Sequence, residues 1–287
     1  RTLRAPAVLR VLPPFTSRRH LPSRIARLRE LDGRTSLLIR GQGTEFDSLR
    51  EYVRGDDVRS IDWRATARGV TTMLRAWRPE RDRRGVVVID TARPSAARIA
   101  DEPRIDTAFE ASLLLAALAT RAGDRIDLLA YDRVVRGRVQ GATGAELLSR
   151  MVDTMAGIEP ALIEMDWSAV PAQVGAMTSQ RSLVVLLTSI DAPGGSRGLL
   201  SVLPQLTKKH IVVVASVTDP EAESAAQQRG RREDVYRAAS AERALLDVAR
   251  VSAAVRRLGG EVVTGSPSDL PPALADRYLA LKAAGRL

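Results

Sequence analysis

The chain has 287 residues, with 44 Lys and Arg against 34 Asp and Glu for a formal charge of +10, two histidines and no cysteine. Without a thiol there is no disulfide scaffold, no thiolate zinc site and no cysteine nucleophile, and His20 and His210 alone leave little for a Ser/His/Asp triad or a zincin site. At 45% hydrophobic and 27% charged residues the composition is that of a globular protein, and the length suits one α/β domain with an appendage.

Residues 1–27 carry seven arginines and no acid, and Pro6, Pro13, Pro14 and Pro22 interrupt them. Such a stretch has too little apolar surface to pack alone, so residues 1–35 read as a basic linker. Its charge would also suit an anionic membrane surface on the cytoplasmic side if an anchor preceded it. The sequence opens on Arg1 rather than Met and reads as a fragment or processed form. No window reaches the roughly 20 apolar residues of a membrane span; the longest, Ala111 to Ala119, lies between Glu110 and Arg121.

From Gly33 to Pro79 the pattern predicts a short extended segment at Ser36 to Ile39, a loop at Gly41-Gln42-Gly43, a helix opening at Asp56 or Asp57, and a strand from Thr71 to Trp77. After Arg84, β-branched runs alternate with helical stretches. The predicted strands are Gly85 to Ile89, Ile126 to Ala130, Val134 to Val139, Leu183 to Thr188, Ile211 to Val217 and Glu261 to Thr264. The predicted helices lie near Arg104 to Arg121, Thr143 to Met155, Trp167 to Met177, Arg197 to Thr207 and Arg232 to Leu258, with a last one after Asp269. Leu245, Val248, Val251, Val255 and Leu258 repeat every three or four residues, and Gly259-Gly260 supplies a left-handed stop.

Strand and helix in alternation predict a three-layer, mostly parallel sheet. One pair, around Asp132, is close enough in sequence for a hairpin, which adds one antiparallel edge strand. Both histidines read as solvated or helix-capping side chains.

Three cations are lysine (Lys208, Lys209, Lys282) and 41 are arginine, which with abundant alanine points to a GC-rich genome rather than to a nucleic-acid binder. Aromatic residues, at 3%, offer few platforms for stacking bases, so a nucleic-acid partner is disfavoured. Residues 1–27 hold +7 of the charge and the remainder only +3.

This Rossmann-like layout resembles a von Willebrand factor A domain. The resemblance implies a metal-ion-dependent adhesion site, Asp-x-Ser-x-Ser, where the first strand ends. Here Asp90-Thr91-Ala92-Arg93-Pro94-Ser95 keeps the leading carboxylate but puts Ala92 and Pro94 in place of the two hydroxyl ligands. A hard divalent cation wants six or more oxygens. The later carboxylate should follow Leu183 to Thr188, where Ser189 replaces it or Asp191 is displaced by two positions. Asp90, Thr91, Ser95, Ser189 and Asp191 therefore make a degenerate site at which no metal is expected, or Mg²⁺ only weakly. Asp90 would otherwise cap the neighbouring helix or pair with an arginine.

A second resemblance rests on Gly41-x-Gly43-x-Glu45-Phe46, Leu49-Arg50-x-Tyr52, Gly55-Asp56, Arg59-x-Ile61-Asp62-Trp63 and Thr66-Ala67-Arg68. This is similar to the signature of the bacterial domain-of-unknown-function 58 (DUF58) family, and Gly123-Asp124-Arg125 also fits. The family implies an amino-terminal membrane hairpin, a von Willebrand A-like domain, and partnership with AAA+ ATPases of the MoxR type as adaptor or chaperone. No enzymatic activity is implied. Expected boundaries are 1–35 for the linker after a missing anchor, 36–84 for the signature segment packed on the main domain, and 85–287 for the von Willebrand A-like domain.

Read as residues, the signature interleaves acids with arginines around Phe46, Tyr52 and Trp63. That suits either a segment clamped to the sheet by those rings within an ion-pair network, or a partner-docking surface. The expected function is a non-catalytic interaction module for a MoxR-type ATPase or its client, at the cytoplasmic face of the membrane. The alternative is a divalent-metal hydrolase or phosphoryl-transfer enzyme built on Asp56, Asp57, Asp62 and Asp90.

Overall fold

The computed structural model describes residues 11–38, 45–53, 58, 61–68, 71–78, 83–191 and 193–287; for 32–38, 45–48, 50 and 75–78 it describes the backbone alone. A short 3-10 helix, Thr16–His20, leads into α1 (Leu21–Leu38). β1 (Glu45–Glu51) and β2 (Met73–Arg78) pair antiparallel, with the short α2 (Trp63–Thr66) between them in sequence. The main domain continues with β3 (Arg84–Asp90), the two-residue strands β4 (Arg98–Ile99) and β5 (Glu102–Pro103), α3 (Arg104–Arg121), β6 (Arg125–Tyr131) and β7 (Val135–Val139). Then come α4 (Gly144–Met155), α5 (Val170–Met177), β8 (Leu183–Leu187), α6 (Arg197–Thr207), β9 (Ile211–Val217), α7 (Pro220–Gln227), α8 (Arg232–Arg257), β10 (Glu261–Gly265) and α9 (Leu270–Ala283).

The six-stranded sheet has the order β10-β9-β8-β3-β6-β7, parallel except for the edge strand β7. This is a von Willebrand factor A-like, three-layer α/β domain. The winding reverses between β3 and β8, so the carboxyl ends of these two strands open a crevice, the usual place for a ligand in such sheets.

Period-2 alternation sorts β3 between two cores. Val87 and Ile89 face the layer of α3, α4 and α9, while Val86 and Val88 face α5, α6 and α8. Helix α3 is buried almost all round, with Leu113, Leu114, Leu115 and Leu118 fully enclosed. That explains the apolar stretch Ala111 to Ala119, which fills a layer between the sheet and other helices rather than lipid.

Three expectations need correction. Residues 16–38 are not a free linker. Leu28 is 2% exposed and joins Leu21, Ile25 and Leu31 against the core, while the Glu110 carboxylate accepts from Thr16 N, Thr16 Oγ1 and Ser17 N at 2.7–3.0 Å. Arg24 and Arg27 both pair with Asp276 on α9, at 2.6 and 2.9 Å. Arg24 and Arg27 thus serve as anchors to the domain. Ser36 to Leu38 is the end of α1 rather than an extended segment. His210 is buried rather than solvated, and its Nδ1 accepts from Ser182 N at 3.3 Å; burial also lowers its pKa.

Candidate functional site

The crevice at the switch point is built from the loops after β3 and β8. Asp90 closes β3 and is 3% exposed. Its Oδ1 accepts from Ala92 N at 2.8 Å and its Oδ2 from the Thr188 hydroxyl at 2.6 Å, while Ser95 donates to the Asp90 backbone carbonyl. Asp90 therefore ties the first turn after β3 to the end of β8. Burial raises its pKa above the ordinary aspartate value, against the pull of the Thr188 and Ala92 hydrogen bonds.

Thr91 points to the other side and donates to Asp132 Oδ2 at 3.1 Å. Asp132, fully buried in the β6–β7 turn, also accepts from Arg133 N, Val134 N and Arg136 Nε at 2.5–3.0 Å. Burial pushes this carboxyl up, but the Arg136 guanidinium and the two N–H groups outweigh it and hold the pKa below the usual value.

The mouth of the crevice belongs to Arg104, the first residue of α3. Its Nη1 donates to Ser189 Oγ at 2.9 Å and to the Asp191 carboxylate. A cation opening a helix opposes the macrodipole, and here carboxylate and hydroxyl oxygens compensate it. Ser189 and Asp191, expected as substitutes for a metal ligand, are thus held by the arginine that opens α3. Arg93 pairs with Glu164, and Arg133 Nε donates to the Glu164 carbonyl at 3.1 Å, lacing residues 160–166 over the ends of β3 and β6.

Between these loops lies a cleft of about 500 Å³, walled by Arg93, Arg104, Glu164, Trp167, Asp191 and Leu199 among others. Gly198 lets Trp167 sit against α6, since a Cβ there would lie 2.6 Å from Trp167 Cδ1.

The metal ion associated with this fold does not fit these residues. Ala92 and Pro94 hold the hydroxyl positions, both Asp90 oxygens are engaged, and a guanidinium occupies Ser189 and Asp191. Among the described residues no group of three or more His, Asp or Glu side chains is arranged to hold a metal ion.

The signature residues gather elsewhere. Glu45, Phe46 and Arg50 lie on β1, where the side chains are outside the described set, and Asp56, Asp57 and Arg59 are outside it altogether, as is the helix opening expected there. Tyr52 is half-buried, and its N–H donates to the Thr72 carbonyl at 2.8 Å. Asp62 caps α2, its Oδ1 accepting from Arg64 N and Ala65 N at 2.9 and 3.0 Å. Arg68 is exposed just beyond α2. Trp63 is 70% exposed, which corrects its expected role as a clamp to the sheet. The unit precedes β3 in the sequence, and residues 79–82 between them lie outside the described residues.

Arg104, Thr188 and Asp132 are the site residues that the sequence reading did not assign. The available signal was a helix opening on arginine with an unmatched charge; the hydroxyl partners depend on strand register.

Among solved structures, the SpRpn10 von Willebrand A domain is similar at 11% identity and a TM-score of 0.40, over 68% of this chain and 94% of that one. The uncharacterized proteins Rv1480 of Mycobacterium tuberculosis and Mb1516 of Mycobacterium bovis are each 27% identical over 234 residues, 74% of this chain and 72% of theirs. The model of the family of unknown function DUF58 matches residues 48–257, and the chain belongs to that family.

Proposed function

We propose that this chain is a non-catalytic protein-interaction module, an adaptor or chaperone partner of a MoxR-type AAA+ ATPase or of its client, held at the cytoplasmic face of the plasma membrane. The observation that supports it is the exposed apolar character of the signature unit. Trp63 is 70% exposed, Val58 61%, Val53 57% and Leu49 40%, in a segment with its own small sheet. Exposed large apolar residues that support no core are what a docking surface requires, and tryptophan is among the residue types enriched at the anchors of such surfaces. Within residues 1–27, Arg18 and Arg19 are exposed with no carboxylate partner among the described residues, which suits contact with anionic lipid.

The enzymatic alternative draws less support from the geometry. Asp62 is engaged as a helix cap and Asp90 as a link between loops, so neither is placed to share a metal.

The test is native co-purification of the full chain with the MoxR-type ATPase of the same genome, alongside Trp63→Ala. A complex that forms with the wild type and weakens at least about tenfold in the variant is expected for a central aromatic anchor. Absence of any complex with the wild type overturns the reading.

A further inference from the structure

Because β3, β6, β8, β9 and β10 are parallel, all five begin at one edge of the sheet, opposite the cleft. The chain arrives at that edge with cations. Arg121 ends α3 ahead of β6, Arg181 precedes β8, Lys208 and Lys209 precede β9, and Arg256 and Arg257 end α8 ahead of β10. All six side chains are exposed, and none has an ion-pair partner among the described residues. Among the described residues the acids at this edge are otherwise engaged: Asp124 holds Lys282, and Glu261 holds Arg277 and Arg286. Two of the chain's three lysines are in this row.

At the opposite, cleft end of the sheet Arg93, Arg104 and Arg136 are each paired with an acid, so the row is a local excess of unpaired cations. Five strands about 4.8 Å apart spread it over about 20 Å. Helices α3, α6, α8 and α9 end here, and their negative ends account for cations being tolerated. The same helix ends make the edge unsuited to seating a phosphate against backbone, which is the task of helix amino termini. The heads must therefore meet negative charge out in solvent, across a broad face. Among the described residues the edge also has no exposed aromatic platform of the kind that single-stranded nucleic acid uses.

We propose that this edge rests on an anionic lipid bilayer, so that the strand-start side of the sheet faces the headgroups and the cleft faces away from them. The contact uses side chains other than those of residues 1–27 and of the signature segment. Loss of vesicle binding would leave the ATPase pairing intact, and failure of that pairing would leave this surface untouched.

The experiment uses the full 287-residue chain and sedimentation with vesicles of phosphatidylcholine, with and without phosphatidylserine. One variant combines Arg181→Gln, Lys208→Gln, Lys209→Gln, Arg256→Gln and Arg257→Gln and keeps every arginine of residues 1–27. Binding confined to the phosphatidylserine vesicles, weakened by salt and at least about tenfold lower in the variant, is expected. A version exchanging Lys and Arg at the same five positions keeps binding, as does a control with Arg197→Gln, Arg232→Gln and Arg237→Gln. Together with unchanged circular dichroism melts, these separate lost charge from lost folding. Equal binding by variant and wild type, equal binding to neutral vesicles, or capture of duplex DNA in preference to vesicles overturns the proposal.

Discussion

Lys282 on α9 donates to both carboxylate oxygens of Asp124, each at 2.9 Å, across 158 residues of chain. Tyr278 adds its hydroxyl to the same carboxylate, and Lys282 also reaches the Ala122 carbonyl at 3.3 Å. The last helix is thereby pinned to the α3–β6 turn, where the family motif Gly123-Asp124-Arg125 sits. The pair is nearly enclosed, with side-chain exposures of 11% and 4%.

Removing one partner of a buried pair strands the other charge. Lys282→Met should therefore lower the unfolding free energy by about 3 kcal/mol, and adding Asp124→Leu should recover part of that loss. Urea denaturation measures both. A loss under about 0.5 kcal/mol in the single variant would mean that water solvates the pair.

Arg104 holds the place where the fold family would put a cation. Titration calorimetry of the wild type with Mg²⁺ or Mn²⁺ should show no saturable heat. Combining Ala92→Ser, Pro94→Ser and Arg104→Ala restores two hydroxyl ligands and removes the guanidinium, and should introduce one. Arg104→Ala alone should cost only about 1 kcal/mol, because Asp191 is 44% exposed and water screens the pair. A silent triple variant would show that the arginine is not what keeps metal out.

Gly198 is required by the ring beside it. With Trp167 Cδ1, Cγ and Cβ at 2.6, 3.1 and 3.2 Å from an added Cβ, Gly198→Ala must push the indole toward the cleft. Strain of this kind typically costs about 1–3 kcal/mol. A lowered melting temperature with a shift in tryptophan emission is the expected signature, and an unchanged melt would contradict it.

Glu261 accepts hydrogen bonds from Arg277 Nε at 2.5 Å and Arg286 Nη1 at 2.7 Å, and the Arg277 bond leads in holding its pKa below the ordinary value of 4.5. Such a carboxyl stays charged in the fold where the unfolded chain already takes up a proton. Its stabilisation is complete above the ordinary value and fades as pH falls through the depressed one. Glu261→Gln should thus cost about 1 kcal/mol at neutral pH, since both arginines are well exposed, and less at pH 3. Melts at both pH values measure the difference, and a pH-independent penalty would assign it to packing.

The parallel sheet was legible because each strand is a short β-branched run set off by helices of clear period, as at Leu245 to Leu258, and Gly259 takes the positive φ of 82° that its stop requires. The hairpin at Asp132 was legible from its short spacing. Helix α1 was not, because its stripe of Leu21, Ile25, Leu28 and Leu31 is crowded by arginines whose acids, Glu110 and Asp276, lie far along the chain. Asp90, Thr91, Ser95, Ser189 and Asp191 do meet at one end of the sheet, since strand order alone brings their loops near. Thr91 nevertheless turns to Asp132 and Asp191 to Arg104, choices set by side-chain geometry. Trp63 misled because one ring at the start of a four-residue helix has no periodicity to say which way it faces.

The crevice between β3 and β8 also sets a timetable. Asp90 and Thr188, whose hydrogen bond joins its two walls, are 98 residues apart. At about 5–20 residues per second on the ribosome, that separates their synthesis by roughly 5–20 s. During that interval β3 can pair with β6 but has one edge bare, an apolar strand open to any passing chain. The neighbour that ends this exposure is the strand that completes the cleft, so closing the sheet and forming the cleft are one late event in the life of the molecule.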